Sequence, residues 1–387
     1  MYQLHCLNKI SPKGMTLLTE NYGTTENMES ADAVLVRSAA MHDMEFSRQL
    51  LAIGRAGAGV NNIPLERCAQ EGIVVFNTPG ANANGVKEMA ICGMLLGSRD
   101  VVGGIQWVQT IKDEEDVAKK VEKGKSQFAG NEIMGKSLGV IGLGAIGGPL
   151  ANAAIALGMK VYGFDPYLSV GAAWQLDSKI IPVKSREEIY ATCDIITLHV
   201  PLLDSTQKMI NAETLAMMKD GVILLNFARD KLVDDDALEA ALKSGKVKRY
   251  ITDFPNEKTA GMEGVIAIPH LGASTEESED NCAIMAVRQV MDYLENGNIK
   301  NSVNFPACDM GACNKPGRVV ILHKNAADMI GGITGVLSAN QVGVCDMLNR
   351  TKDAYAVTML DLEVPAPAKA VAELEALEGV FRVRVIR

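Results

Sequence analysis

The sequence predicts an α/β protein built on parallel sheets, with a smaller antiparallel unit at its C-terminal end. Three observations lead there. From residue 137 onward, short apolar runs alternate with amphipathic helical stretches, as strand–helix–strand units require. Residues 1–95 repeat that alternation more weakly. Beyond a stretch rich in Asn, Gly, Pro and Cys (296–316), residues 317–387 follow the order βαββαβ, a ferredoxin-like pattern.

Taken in order, the first clear strands are Ala33 to Val36 and Ile73 to Phe76, followed by a helix over Val86 to Leu96. Ser137 to Ile141 and Lys160 to Phe164 read as strands around a helix, Gly147 to Leu157. Asp194 to Val200, Gly221 to Phe227, Tyr250 to Thr252 and Val265 to Ile268 add strands, with helices near Asn211 to Met218 and Asp234 to Lys243. Ser274 and Glu277 have the spacing of a capping box. Behind them Ala283, Ala286, Val287, Val290, Met291 and Leu294 recur at helical spacing, which predicts a long amphipathic helix. In the last unit the strands are Val319 to Leu322, Val342 to Cys345, Tyr355 to Leu362 and Phe381 to Ile386. The helices are Ala326 to Ser338 and Ala366 to Leu377.

Composition narrows the function. With 387 residues, 48% hydrophobic and 22% charged, the chain can bury two or three domain cores. Aromatics are only 5%, so those cores rest on aliphatic residues and Met. A net charge of −9 without long like-charge blocks argues against a nucleic-acid or membrane surface while leaving room for a local basic pocket. Eight irregularly spaced cysteines do not form a secreted disulfide framework. Cys308 and Cys313 lack a second ligand pair and read as linker cysteines rather than a metal site. No signal-peptide run opens the chain, so the expected compartment is the cytoplasm.

Gly142-Leu143-Gly144-Ala145-Ile146-Gly147 follows an apolar strand and opens a helix, and Asp165 ends the next strand. The first glycine permits a tight turn, the second admits a pyrophosphate, and the third packs helix on strand. The helix N-terminus then offers free N–H groups to phosphates. Asp165 can accept hydrogen bonds from the adenosine ribose hydroxyls, and its charge repels a 2′-phosphate. The expected cofactor is therefore NAD rather than NADP, held in a Rossmann-like domain.

Three further segments end predicted strands, where open α/β sheets place their ligands. They are Asn226-Phe227-Ala228-Arg229, Phe254-Pro255-Asn256-Glu257 and Pro269-His270-Leu271-Gly272-Ala273-Ser274. Hydride exchange with a 2-keto acid needs a carboxylate anchor, a proton donor and a group to tune that donor. Arg229 is a fork suited to a carboxylate, His270 a proton carrier, and Glu257 a carboxylate able to favour charged imidazole.

With these segments in this order, together with GRAGAGVNNI at Gly54 to Ile63 and NTPGAN at Asn77 to Asn82, the chain resembles the D-isomer-specific 2-hydroxyacid dehydrogenases over essentially its whole length. Within that family it is most similar to members that oxidise D-3-phosphoglycerate to 3-phosphooxypyruvate in L-serine synthesis. The resemblance implies catalytic roles for Arg229, Glu257 and His270. It also implies cofactor contacts at Thr78, Ala145, Ile146, Asp165, Val200, the Phe227 to Arg229 loop with Ala228, and His270 to Ala273 with Leu271 and Gly272. For the substrate it implies Arg55 at the phosphate and the backbone of Ala58, Gly59, Val60 and Asn61 at the carboxylate.

Three positions depart from the family pattern. Asp230 follows Arg229 where Gly is usual, and the left-handed region that Asp tolerates would preserve the loop. Lys258 replaces a usual Pro. Asp253 lies one step beyond the usual acidic position, Thr252, and needs a bulge or altered twist to reach the cofactor.

The implied architecture has three parts. A discontinuous flavodoxin-like substrate domain spans 1–95 and 285–310, and a nucleotide domain spans 96–284. An ACT domain, an amino-acid-binding module, spans 317–387. His323 and Asn325 match positions that hold an amino-acid effector such as L-serine, while Gly343 stands where a third position is usually Asn. The tail is thus read either as a regulator or as an assembly element, and the chain as a homo-oligomer. Two rival functions stay open: a dehydrogenase for another 2-hydroxy acid such as 2-hydroxyglutarate, and an NAD-responsive binding protein.

Overall fold

The computed structural model describes all 387 residues, in two compact units. One joins Met1–Asn82 to Glu276–Arg387, and the other is Ala83–Thr275. Residues 95 and 285, where the sequence placed its divisions, lie inside the helices Ala83–Ser98 and Glu276–Asn296. Each helix goes whole with the core it completes. Val86, Ala90 and Met94 bury in the second unit, and Ala283, Ala286, Val287, Val290 and Leu294 in the first.

The first unit holds a parallel sheet of β1 (Tyr2–Cys6), β2 (Tyr22–Thr24), β3 (Ala33–Val36), β4 (Ala52–Arg55) and β5 (Val74–Phe76). Its order, β2-β1-β3-β4-β5, is that of flavodoxin. Three of these strands, β1, β2 and β4, lie outside the strands read from the sequence. The helix Glu276–Asn296 lies so close on β4 that a side chain at Gly54 would come within 2.9 Å of Val290. Its expected capping box is not used as such. Ser274 Oγ–H donates back to the His270 carbonyl at 3.2 Å, and the helix begins at Glu276.

The second unit is a seven-stranded parallel sheet of β6 (Ser137–Ile141), β7 (Lys160–Phe164), β8 (Ile181–Pro182), β9 (Ile195–Leu198), β10 (Val222–Asn226), β11 (Val247–Thr252) and β12 (Val265–Ala267). The order β12-β11-β10-β9-β6-β7-β8 reverses direction between β6 and β9, the switch point at which doubly wound sheets bind ligands. Both faces are covered. Ile223 and Leu225 of β10 join one core, and Val222 and Leu224 the other, so the strands read as unbroken apolar runs. Residues 101–128, unassigned in the sequence, form the helices Val101–Ile111 and Val117–Gly124 and a 3₁₀ turn, Lys125–Phe128.

The tail forms β13 (Gly317–Lys324), β14 (Val344–Lys352), β15 (Tyr355–Leu362) and β16 (Val380–Val385), an antiparallel sheet in the order β14-β15-β13-β16. The helices Met329–Ala339 and Ala368–Glu375 cover Val319, Ile321, Leu360 and Leu362 on one face. Alternate residues Val320, Leu322, Val357 and Met359 merge with the core of the first unit. β14 begins two residues later than Val342 and runs to Lys352, because this largely exposed edge strand has no apolar alternation to mark it.

Two buried arginines and a half-buried one complete that union. Arg318 donates to both Asp361 oxygens at 2.6 and 2.9 Å and to the Gly311 carbonyl at 2.7 Å. Arg384 donates to the carbonyls of Tyr293 and Leu294 at 2.7 and 3.1 Å, capping the end of the helix Glu276–Asn296 as cations do. Arg382 donates to the carbonyls of Leu50 and Glu71 at 2.8 and 3.0 Å. No helix of the chain is long and apolar enough to cross a membrane.

Candidate active site

The glycine-rich turn sits at the switch point, and each glycine is there for a different steric reason. Gly142 has φ +94°, and a Cβ would lie 2.4 Å from the His199 carbonyl oxygen. A Cβ at Gly147 would lie 1.9 Å from the Gly142 oxygen, whereas Gly144 faces open space. The N–H groups of Gly144, Ala145 and Ile146 donate to no group of the chain. Together with the N-terminus of the helix Gly147–Ala156 they form a cradle that fits a pyrophosphate. Asp165 Oδ2 accepts the Leu143 N–H and Oδ1 the Tyr167 N–H, both at 2.9 Å. Each oxygen keeps a lone pair for a ribose hydroxyl. The residues present therefore fit a dinucleotide.

Val200 stands against this turn, its Cγ1 3.1 Å from where a Gly142 Cβ would be. Phe227 turns its ring into the core, which leaves only its backbone for a ligand. Leu271 is exposed and Ala273 half-buried.

Asp253 answers the register question. β11 ends at Thr252, so strand alternation no longer governs the next residue, and no bulge is needed. Thr252 stays inside the sheet, its Oγ–H donating to the Asn226 carbonyl at 2.9 Å. Asp253 is buried; Oδ2 accepts the Gly272 N–H at 2.9 Å while Oδ1 has no partner. Burial raises its pKa above the usual carboxylate range. That orphaned carboxylate oxygen is open to an N–H donor.

Arg229, Phe254 and His270 come together on neighbouring strand ends. The His270 ring lies 4.5 Å from the Phe254 ring, and the Arg229 guanidinium 6.0 Å from it. Buried Asn226 shapes the arginine loop by accepting the Ala228 N–H and donating to the Arg229 carbonyl at 2.8 Å. Arg229 itself spends a single N–H, on the Ala228 carbonyl. His270 has φ +42°, a strained region for a side-chain-bearing residue that is populated chiefly where function demands it.

Two expectations change. Asp230 is not left-handed but opens a 3₁₀ turn, Asp230–Leu232. Glu257 is exposed, and neither a hydrogen bond nor an ion pair joins it to His270.

Sequence reasoning passed over His199. It is half-buried, with Nε2 2.9 Å from Thr197 Oγ1 and a buried Nδ1 that has no partner, and burial pushes its pKa down to about 4. The signal was slight, since β9 ends at Leu198 and His199 lies one residue beyond it.

In the first unit, β4 delivers Arg55 to a loop braced from beneath. The Asn77 side chain donates to the Ala58 carbonyl at 2.7 Å, and the Thr78 N–H to the Gly57 carbonyl at 3.1 Å. Thr78 is fully buried. Gly57 has φ +144°, and any Cβ there would collide with Arg55 Nη1. The N–H groups of Ala58, Gly59, Val60 and Asn61 donate to nothing in the chain. Arg55 Nε is buried without a partner, and burial with nearby Arg37 lowers its pKa. Unspent donors of this kind suit an anion.

In the tail, His323 is occupied by the chain itself, and Asn325 is exposed with one amide hydrogen engaged. His323 is buried, with Nδ1 2.7 Å from the Lys324 carbonyl oxygen and Nε2 2.8 Å from Thr358 Oγ1, which bonds Asn349 Oδ1 at 2.8 Å. The Asn325 amide donates to the Asp353 carbonyl at 3.1 Å. A Cβ at Gly343 would lie 2.3 Å from Oε2 of exposed Glu363, so a larger residue there would need that side chain to swing aside.

Comparison with known proteins agrees with this geometry. The D-isomer specific 2-hydroxyacid dehydrogenase NAD-binding domain matches residues 100–272. A D-3-phosphoglycerate dehydrogenase from Haemophilus influenzae is 31% identical over 359 residues, covering 89% of this chain and 83% of the relative. One from Methanocaldococcus jannaschii is 34% identical and covers 80% of this chain. The chain spans only 57% of that longer relative. Among solved structures, the NAD⁺-bound 3-phosphoglycerate dehydrogenase of Entamoeba histolytica is 28% identical with a TM-score of 0.61, covering 78% of this chain and 98% of that one.

Proposed function

Because the chain belongs to the D-isomer-specific 2-hydroxyacid dehydrogenases, we propose that it oxidises D-3-phosphoglycerate to 3-phosphooxypyruvate, with NAD as cofactor, at the entry to L-serine synthesis. The observation that carries the substrate is the Arg55 loop. Four consecutive free N–H groups beside a guanidinium with a buried, unspent donor suit a substrate bearing two anionic groups, in a chain whose net charge is −9. The names of the curated relatives support the same choice.

NAD supplies the hydride acceptor. The chain's own residues do the rest. Arg229 holds the substrate carboxylate through the N–H groups it does not spend on Ala228. An imidazole nitrogen of His270 takes the C2 hydroxyl proton. Glu257, free on the neighbouring strand end, turns toward that ring as it gains charge and stabilises it. Asp253 Oδ1 accepts from the cofactor's carboxamide, with Asp165 at the ribose.

We read the tail as an ACT-type domain and the chain as a homo-oligomer, the latter supported by exposed Val101, Ile105 and Val108 on one helix. The engaged ring nitrogens of buried His323 favour assembly over amino-acid binding. The test is NADH oxidation with 3-phosphooxypyruvate, 2-ketoglutarate or pyruvate, each with and without L-serine. Preference for the phosphorylated acid upholds the assignment. Preference for an unphosphorylated one overturns it and the role of Arg55. Inhibition by serine would overturn the structural reading of the tail.

A further inference from the structure

Asn256 links its own loop to the one that follows Arg229, and every hydrogen-bonding atom of its side chain is engaged. Its amide donates one hydrogen to Asp230 Oδ1 at 3.0 Å and the other to Asp235 Oδ2 at 2.9 Å. Its Oδ1 accepts the N–H groups of Lys258 and Thr259, both at 2.9 Å, and the Thr259 hydroxyl at 3.1 Å. Asp230 adjoins Arg229, and Asp235 opens the helix Asp235–Lys243. Lys258, on the far side of Glu257, pairs with Asp236 and with Glu239 of that same helix. Both neighbours of Glu257 are thus anchored while its own side chain stays free.

A carboxamide is the only neutral group of this size that can donate to two carboxylates and still accept. Two carboxylates sharing a partner need those donors, because like charges otherwise repel. The Asp at 230, where the family has Gly, gives the arginine loop something for Asn256 to hold.

We propose that Asn256 is a positioning residue, which locks the Arg229 loop and the Glu257 loop to one helix end and so sets the spacing of carboxylate anchor and acid. The inference rests on the roles given above to Arg229 and Glu257. It touches neither the glycine turn nor Asp165 nor Asp253, so its loss should fall mainly on the Arg229 and Glu257 loops.

The test is Asn256→Asp, which keeps the shape and the accepting oxygen but turns two donors into a third carboxylate. At pH 8 kcat should fall about tenfold or more, as small misplacements of catalytic groups do, while the dissociation constant for NADH, read by fluorescence, stays within about twofold. Toward pH 5.5 the deficit should shrink, because the new carboxyl, crowded by Asp230 and Asp235, regains a donor on protonation. Adding Asp230→Asn returns a donor from the opposite side and should recover about threefold at pH 8, a coupling seen only between touching groups. Wild-type kcat in Asn256→Asp, or a deficit flat with pH and unmoved by the second change, would overturn the proposal. If that variant fails to fold, Asp230→Gly releases only the arginine loop, and an unchanged kcat there has the same force. Glu257→Gln assayed in parallel separates the two ideas. If it keeps full turnover, the role of Glu257 is what fails; if it is dead and Asn256→Asp is not, only the positioning falls.

Discussion

The strand ends of the two parallel sheets and the C-terminal antiparallel sheet bury comparable polar groups and treat them in opposite ways. In the parallel sheets Arg55 Nε, His199 Nδ1 and Asp253 Oδ1 are buried and unpartnered, and the N–H groups of two loops donate to nothing. In the tail no buried side-chain polar atom is left over. Arg318, Arg382 and Arg384 are consumed by a carboxylate and by carbonyls, and His323 by Lys324 and Thr358. An unmade bond on a buried polar group costs about 1–3 kcal/mol. A sheet whose strand ends tolerate such groups is prepared for a ligand, and one that tolerates none is finished without one.

The sharpest break in that comparison is His270→Ala. Turnover should fall by about 10³ or more, with NADH affinity and unfolding midpoint near wild type, because the ring makes no hydrogen bond that holds the fold. Loss of NADH binding in parallel would make this histidine structural. Arg318→Ala is the mirror image. It strands Asp361 in the interior, and breaking a buried ion pair costs about 3–5 kcal/mol. Denaturant unfolding should show that loss while the folded fraction keeps its kcat; a variant as stable as wild type would mean the tail is not fused to the first unit.

His199 gives the smallest effect and the finest test. Above pH 6.5 it is neutral in both folded and unfolded chains. As pH falls from 6.5 toward about 4, the unfolded chain takes up a proton that the folded one refuses, so stability declines by about 3 kcal/mol across that window. His199→Gln should flatten the decline in midpoint against pH. An equal decline in the variant would place the acid sensitivity elsewhere.

Legibility followed the range of the interactions involved. The glycine turn, Asp165 and the residues ending β10 and β12 could be read directly, because a tight turn after an apolar strand is a local demand on a few adjacent residues. Asp253 was misjudged for the same local reason, since alternation was extended one residue past the true end of β11. Asn256 passed unnoticed because its worth lies in Asp230 and Asp235, 26 and 21 residues away. β14 was misplaced because an exposed edge strand carries no alternation.

The sequence by itself pointed to the doubly wound cofactor domain and to NAD, and it proposed the trio Arg229, Glu257 and His270. Glycine sterics, strand ends and charge are properties of short segments, whatever surrounds them. Only the tertiary structure decided which donors are spent. His323 matched an effector position in the chain, yet its partner Thr358 lies 35 residues on, across the sheet. Arg384 reaches carbonyls about 90 residues back. Whether a polar group is free for a ligand depends on every other group within about 3 Å of it, and that neighbourhood exists only once the chain has folded.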